Sequence, residues 1–138
     1  MPAFQYDSYT DARAHLKEVL DAAENGQLVT VRRDASKSAV IDAERLRHFL
    51  ATCAPSSAQV VHEDGGWSAF VPGLPVAADG ATFEEAIDDL VDALREYAQD
   101  WHDRLRHATN HSDNWGIVQL VDLSDDDQLR AWLRGSAR

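Results

Sequence analysis

The 138-residue chain has one cysteine and four prolines. A single cysteine cannot form an internal disulfide, which excludes a cross-linked secreted scaffold and favours a reducing compartment. The sequence contains no run of roughly 18–20 apolar residues, the length that a membrane-spanning helix requires. Its start also lacks the basic residues and apolar run of a signal peptide. We therefore expect a cytoplasmic protein that has no membrane partner.

Signatures of catalysis and cofactor binding are also missing. The sequence has no glycine-rich phosphate loop and no Ser-His-Asp pattern. Glu63, Asp64 and Asp92 are candidate magnesium ligands of a nuclease, but a hairpin turn and a solvated helix explain them better. His107 and His111 are four residues apart, yet the polar residues around them favour a loop over a fixed metal site. We expect no enzyme activity, no metal and no cofactor.

Negative charge is abundant but unevenly distributed. Residues 1–54 contain seven Lys/Arg and eight Asp/Glu, whereas residues 55–138 contain six and sixteen. Such asymmetry between halves indicates different partners, although a well-solvated acidic surface would give the same composition. The small, proline-containing stretch APSSA begins at Ala54 and marks a boundary. We predict domains over residues 1–54 and 59–138, joined by a linker over 55–58.

The first segment has the periodicity of a β-α-β-β-α module. Thr10 is predicted to cap the first helix and Gly26 to end it. Apolar residues at helical spacing form one stripe on that helix, namely Ala12, Leu16, Val19, Leu20 and Ala23. The predicted elements are a strand at Phe4 and Tyr6, a helix from Asp11, a strand over 28–33, a turn over 34–38, a strand over 39–41 and a helix that Asp42 caps.

Three short motifs in this segment occur in a familiar order. They are SYTDAR at 8–13, TVRR at 30–33 and AVI at 39–41. This order resembles the N-terminal module of Phd/YefM-type antitoxins over most of residues 4–52. The resemblance implies a homodimer that binds its own operator DNA and represses its own transcription. The positions that match the family's basic contacts are Arg13 and Arg33, with Arg32 beside them.

Elementary electrostatics is compatible with that assignment. Arg13 is predicted in the first turn of its helix, where a bound phosphate would relieve the conflict between a cation and the helix dipole. Arg32 and Arg33 are neighbours in a strand, so they point to opposite faces, and the family match favours Arg33 as the one that shares a surface with Arg13. Lys37 is predicted in the turn, within reach of a phosphate. Ordinary surface charge is the alternative interpretation of all four.

The second segment predicts three strands, a long helix and a fourth strand. Asp64-Gly65-Gly66 is a hairpin signal, and Thr82 with Glu85 forms a capping box. The predicted elements are strands over 59–63, 67–71 and 76–78, a helix over 83–101, a strand over 115–121 and a short terminal helix that Ser124 caps.

Three motifs of this segment are more specific than those of the first. They are EDGGW at 63–67, VPGLP at 71–75 and GATFEEA at 80–86. Together they resemble the HicB-like antitoxin domain over roughly residues 59–101. The resemblance implies a β-β-β-α-β core, related to ribonuclease H but without nuclease activity, which binds a toxin and often oligomerises further.

The combined prediction is an α+β antitoxin of a bacterial type II toxin-antitoxin system. It would neutralise a cognate toxin, most simply a basic RNA-cleaving one, and bind its operator as a homodimer or higher homo-oligomer. Complementary charge would speed the encounter with the toxin, and an exposed tryptophan would anchor it. The predicted toxin contacts are Glu84, Asp88, Asp92 and Trp132. The alternative is a ligand-sensing transcriptional regulator that has no cognate toxin.

Overall fold

The computed structural model describes residues 4–135 and divides the chain into two compact units. The first extends to Leu46 and the second begins at Arg47. The division falls inside helix α3 (Ala43–Cys53), ahead of the predicted linker. This is because Leu50 and Ala51, in the second half of that helix, belong to the hydrophobic core of the second unit. The predicted α+β class is confirmed, with two small sheets and six α-helices among the described residues.

The first unit has one sheet with the strand order β1-β2-β3. β1 runs parallel to β2, with Phe4 beside Val29, and β2 runs antiparallel to β3, with Val29 beside Val40. The elements are β1 (Phe4–Tyr6), α1 (Tyr9–Ala14), α2 (Leu16–Glu24), β2 (Val29–Arg33), β3 (Ser36–Val40) and the start of α3. Asp42 begins α3 as predicted, because its carboxylate accepts the Arg45 N–H at 3.0 Å.

The predicted first helix is two helices. It begins at Tyr9 and is capped by Ser8, whose hydroxyl accepts the Asp11 N–H at 3.1 Å, so the prediction of a Thr10 cap was wrong. The helix breaks at His15, whose φ is −120° and ψ is 30°. In a continuous helix the His15 N–H would bond the Asp11 carbonyl. The imidazole Nδ1 of His15 bonds that carbonyl instead, at 2.9 Å, and the His15 N–H turns to Ala12.

The first unit buries little apolar surface. Its core consists of Val19, Ala22 and Val29, with Phe4, Tyr6 and Val40 packed around them. Large apolar side chains remain on the surface, and two of them, Leu16 and Leu20, belong to the stripe that the sequence predicts for one helix face. The exposed set is Tyr9, Leu16, Leu20, Leu28 and Ile41. This unit therefore leaves apolar area uncovered.

The second unit contains an antiparallel sheet with the order β4-β5-β6. The predicted hairpin is confirmed, since Glu63 pairs with Gly66 and the two turn residues, Asp64 and Gly65, have φ of 30° and 83°. The elements are β4 (Gln59–Glu63), β5 (Gly66–Phe70), β6 (Ala77–Gly80), α4 (Phe83–Asp103), α5 (Trp115–Leu123) and α6 (Asp126–Leu133), with short 3-10 turns at Leu105–His107 and Ser112–Asn114.

Helix α4 organises the core of the second unit. Seven of its apolar residues are buried, and α5 and α6 pack against the same helix. Thr82 caps α4 as predicted by accepting the Glu85 N–H at 3.1 Å. The Glu85 carboxylate accepts the Ala81 N–H at 3.0 Å instead of the Thr82 N–H of a standard capping box. Within residues 4–135, none of the helices is long and apolar enough to cross a membrane.

The predicted strand over 115–121 is wrong, because these residues form helix α5. Val118, Leu120 and Val121 are buried in the core that α4 shares. A short apolar run fits either a strand or a buried helix, and here packing against distant residues decides. Ser124 does not cap the last helix, because its hydroxyl donates to the Leu120 carbonyl at 2.6 Å. Asp125 caps it, in a reciprocal capping box with Gln128.

Candidate DNA-binding and partner-binding surfaces

The β2–β3 hairpin holds three of the four predicted DNA contacts. Arg32 lies directly opposite Lys37, and Arg33 lies opposite Ser36. Residues paired in this way share a face of the sheet, and alternate residues along a strand share a face. Arg33 therefore lies on the face of Val29, which packs against α2, whereas Arg32 and Lys37 lie together on the other face. Lys37 belongs to β3, and the predicted five-residue turn is shortened to Asp34 and Ala35.

Arg13 is exposed and lies in the last turn of α1. The expectation that it opposes the helix dipole was wrong, because the break at His15 ends the helix two residues later. A cation near a helix C-terminus is favourably placed. Dipole strain therefore gives no reason for the predicted phosphate contact of Arg13, which depends on the exposure of this side chain.

The four predicted DNA contacts share one property. The other basic side chains of the first unit have protein acceptors, since Lys17 pairs with Asp21 at 2.7 Å and Arg45 donates to the Glu24 carbonyl at 2.7 Å. Among residues 4–135, no hydrogen bond or ion pair engages the predicted set, which is Arg13, Arg32, Arg33 and Lys37. Exposed cations without acceptors remain available to an external anion.

An acidic residue, Asp11, lies in the same helix as Arg13, and its carboxylate lies 3.3 Å from His15 Nδ1. The hydrogen bond from His15 to the Asp11 carbonyl, together with the nearby carboxylates of Asp11 and Glu18, raises the pKa of His15 above its usual 6.5. Protonated His15 offsets the charge of Asp11 near Arg13.

Helix α4 carries the predicted acidic contacts, and all three are exposed. Glu84 and Asp88 are ion-paired with Arg134 and Arg130 from the end of the chain, the second pair at 2.6 Å. The hydrogen bond from Arg130 to Asp88 raises the pKa of that guanidinium. Asp92 has no ion pair among the described residues. The acidic face of α4 is therefore neutralised at Glu84 and Asp88, and Asp100 further along lies 3.9 Å from Arg104.

Trp132 is not the exposed anchor that was expected. Only 4% of its surface is accessible, and its indole N–H donates to the Ala54 carbonyl at 3.0 Å. The signal was present in the sequence, because Trp132 falls at helical spacing with Leu129 and Leu133, which are also buried. The exposed tryptophan of this unit is Trp115, which is 53% accessible at the start of α5.

Sequence reasoning missed Arg95, a residue that connects three helices of the second unit. Its guanidinium on α4 donates to the carbonyls of Val121 and Ser124, at 2.7 and 2.8 Å, and to the Asp126 carboxylate at 2.8 Å. The last contact lowers the pKa of Asp126. The partners lie more than 25 residues further along the chain, so no local pattern marks the role.

A second polar cluster holds the segment after α4. The Tyr97 hydroxyl lies 3.0 Å from His111 Nδ1 and accepts the Asn114 amide at 2.8 Å. The Trp101 indole donates to the His111 carbonyl at 2.9 Å. Beside this cluster is a cleft of about 480 Å³, whose charged lining includes Glu96, Asp100 and Arg104. Among residues 4–135, no group of three or more potential metal ligands converges.

The fold is shared with a protein of known structure. A crystal structure from Syntrophomonas wolfei subsp. wolfei, described as the antitoxin part of a candidate toxin/antitoxin system, has the same fold with a TM-score of 0.79. The two sequences are 20% identical, and the alignment covers 96% of each chain. No curated protein matches the sequence significantly.

The amino-acid sequence matches a known protein family over nearly its whole length. Residues 3–134 match the PHD-like family, which is described as the antitoxin of a toxin-antitoxin system of the RelE/RelB kind. The chain belongs to this family of antitoxins. Membership implies a cognate toxin as a partner.

Proposed function

We propose that this antitoxin neutralises a basic ribonuclease toxin through its second unit and represses its own operator through its first unit, as a homodimer. In this proposal residues 1–54 form a Phd/YefM-like module, residues 55–58 a linker and residues 59–138 a HicB-like domain. The observation that carries the proposal is the segregation of charge. Within the described residues 4–135, four cations of the first unit have no acceptor, and the excess of carboxylates lies in the second half of the chain.

The operator contacts are assigned to Arg13, Arg32, Arg33 and Lys37. One subunit offers few cations, and phosphate neutralisation supplies most non-specific affinity for DNA. Two subunits related by a two-fold axis would present two such sets to two half-sites. The exposed apolar side chains of the first unit, including Leu16 and Leu20, support self-association, because small cores seldom leave so much apolar surface in water.

The toxin contacts are assigned to the acidic face of α4, with Asp92 as the carboxylate that is already free. Glu84 and Asp88 can join only if a cation of the toxin replaces Arg134 or Arg130. The Glu84–Arg134 pair is exposed, so exchange there is energetically inexpensive, whereas Arg130 is half-buried and also pairs with Asp127. Carboxylates in this role compete with RNA phosphates for the basic groups of the toxin. Trp115, in place of Trp132, supplies the exposed apolar anchor.

Co-expression tests the toxin part of the proposal. The chain is produced together with the small basic protein encoded beside it, and the pair is purified through a tag on one partner. We expect a stable complex and rescue of growth when the neighbour is toxic. Failure of both would contradict the antitoxin activity proposed here.

Promoter binding tests the operator part separately. We expect the chain to shift a fragment of its own promoter at a lower concentration than a scrambled fragment, with steep dependence on salt. Specific promoter binding by a chain for which co-expression yields no partner protein would favour the ligand-sensing regulator instead. Equal affinity for both fragments would contradict operator recognition.

A further inference from the structure

The sheet of the second unit ends on one side in an open edge. The fourth strand that the sequence predicts for this unit is helix α5, so the sheet stops at β4 and β6. An edge strand exposes unpaired N–H and C=O groups that can pair with another chain unless something covers them. The two edges of this sheet differ in this respect.

The β6 edge is closed by side chains. The outward N–H of Asp79 donates to the Asp89 carboxylate at 3.2 Å, and the N–H of Ala81 donates to Glu85 at 3.0 Å. Both acceptors come from α4, which packs along β6. Carboxylates over these donors prevent a further strand from adding at this edge.

The β4 edge has no such protection. In a hairpin with a two-residue turn, the flanking residues Glu63 and Gly66 form a hydrogen-bonded pair, so Val61 and Gln59 also face β5. The N–H and C=O groups of Val60 and His62 consequently point away from the sheet. Among residues 4–135, no group pairs with them, and β5 is the element that contacts β4 extensively.

We propose that β4 pairs antiparallel with β4 of a second copy of this chain, across a two-fold axis at Val61. Val60 would exchange both backbone hydrogen bonds with His62 of the partner subunit, and His62 with Val60 of the partner subunit. These are the groups that the structure leaves free. The result is one continuous sheet of six strands and an interface distinct from the apolar surface of the first unit.

The choice of a second copy follows from the register. A two-fold axis at Val61 places Val61 against its own copy and Gln59 against Glu63 of the partner subunit, so no like charges face each other. An axis at Val60 would require the Ala58 N–H, which already donates to Ser56 Oγ at 3.1 Å. An axis at His62 would place two histidines together and use Asp64, which has left the strand conformation with φ of 30°.

The apolar centre of this edge is suited to such pairing. Val61 is 41% exposed and lies in the position where, in the joined sheet, side chains approach most closely. β3, which ends the sheet of the first unit, carries Lys37, a charged residue of the kind that natural edge strands use against pairing. β4 carries no lysine, arginine or proline. Isologous contacts of this type are the usual basis of closed dimers.

A charge swap at the axis tests the proposal on the full chain. Val61→Lys and Val61→Glu each place two like charges side by side, and we expect each to weaken association by about tenfold or more. Mixing the two variants should restore the wild-type assembly, because opposite charges then meet. Molar mass measured by sedimentation across a concentration series reports the result, and Ala77→Lys, on the same face of the protected edge, is the matched control.

Cross-linking provides a second measurement. In a Cys53→Ser background, which removes the exposed native thiol, Val61→Cys should form an intersubunit disulfide on mild oxidation, because this position brings the two Cα atoms to about 4.5 Å. Ala77→Cys in the same background should not. The proposal is overturned if both charged variants retain the wild-type mass, if their mixture does not recover it, or if Val61→Cys cross-links no faster than Ala77→Cys. Toxin binding and operator binding enter none of these readouts.

Discussion

Arg13 and Arg33 are the side chains whose removal tests the DNA surface most directly. We expect Arg13→Ala with Arg33→Ala to weaken promoter binding and to reduce its salt dependence. Each lost phosphate contact lowers the slope of log K against log salt by about 0.9, and a dimer loses up to four, so the slope should fall by about 2–4. Binding isotherms between low and moderate salt measure this slope.

The matched control for this prediction is Lys17→Ala. Lys17 is exposed and basic but already pairs with Asp21 at 2.7 Å, so its loss should change the slope little. An equal reduction in both variants would mean that overall charge alone governs binding. Unchanged binding in the Arg13/Arg33 variant would move the DNA contacts elsewhere.

His15 is the residue at which pH acts on the first unit. Its hydrogen bond to the Asp11 carbonyl raises its pKa above 6.5. The folded state therefore holds the proton more tightly than the unfolded state. The resulting stability is fully present below about pH 6.5 and is lost as the pH rises through the folded pKa.

We expect an NMR titration of His15 to have its midpoint above 6.5. The raised value should persist in part in Asp11→Asn, because the hydrogen bond to the Asp11 carbonyl, the largest cause of the raised pKa, remains while the carboxylate is removed. His15→Gln should flatten the change in thermal stability between pH 6 and 8. A midpoint at or below that of an unstructured histidine peptide would contradict this account.

At the scale of single elements, the turn from β6 into α4 depends on Gly80. A Cβ at this position would lie 2.5 Å from the Ala86 backbone nitrogen, closer than real Cβ atoms approach. Because that neighbour is backbone in the first turn of α4, it cannot move aside. We expect Gly80→Ala to destabilise the protein by about 1–3 kcal/mol, measured as the free energy of unfolding in urea.

Gly116, unlike Gly80, has space for an added side chain. It lies in α5, and a Cβ added there would meet nothing within 4 Å. Replacing a helical glycine by alanine removes backbone entropy from the unfolded state, so Gly116→Ala should stabilise the protein by up to about 1 kcal/mol. Equal effects of the two substitutions would show that the close approach at Gly80 is not what constrains the turn.

The elements that sequence reasoning predicted correctly are those with local causes. Helix α4 has a long apolar stripe and a Thr82 cap, and the β4–β5 hairpin has Asp64 and Gly65 in a two-residue turn. Each can be recognised within one stretch of sequence. The break at His15 could not be predicted, because helical spacing continues across it while a side chain takes the backbone acceptor.

Helix α5 and parts of the candidate site could not be predicted, because they depend on contacts between residues far apart in the sequence. The apolar run from Trp115 is short enough to fit either the helical or the strand repeat, and its conformation depends on packing against α4. Arg95 stabilises α5 through carbonyls far along the chain. For the acidic face, composition predicted the carboxylates of α4 but not the arginines of the terminal helix that neutralise two of them.

At the scale of the whole molecule, the distribution of charge predicts that the two partners respond to different substitutions. Reversing Asp92 and Glu96, which lie on α4 beyond the paired carboxylates, should slow association with the toxin by about tenfold or more and leave dissociation less affected, since exposed charges mainly steer encounter. Trp115→Ala should mainly speed dissociation and leave the association rate less affected, because an aromatic anchor that becomes buried in the complex opposes dissociation. Stopped-flow and dissociation measurements separate the two rates.

The same variants can be tested for promoter binding. Arg13, Arg33 and the β2–β3 hairpin belong to the first unit, whereas Asp92, Glu96 and Trp115 belong to the second. Substitutions in the second unit should therefore leave the operator affinity of the toxin-free protein within about twofold of wild type. A tighter operator complex after reversal of Asp92 and Glu96, with the toxin absent, would show instead that the carboxylates of α4 repel DNA directly. The acidic unit would then reduce the DNA affinity of the first unit, and neutralisation of those carboxylates by a basic toxin would be a route by which the toxin strengthens repression.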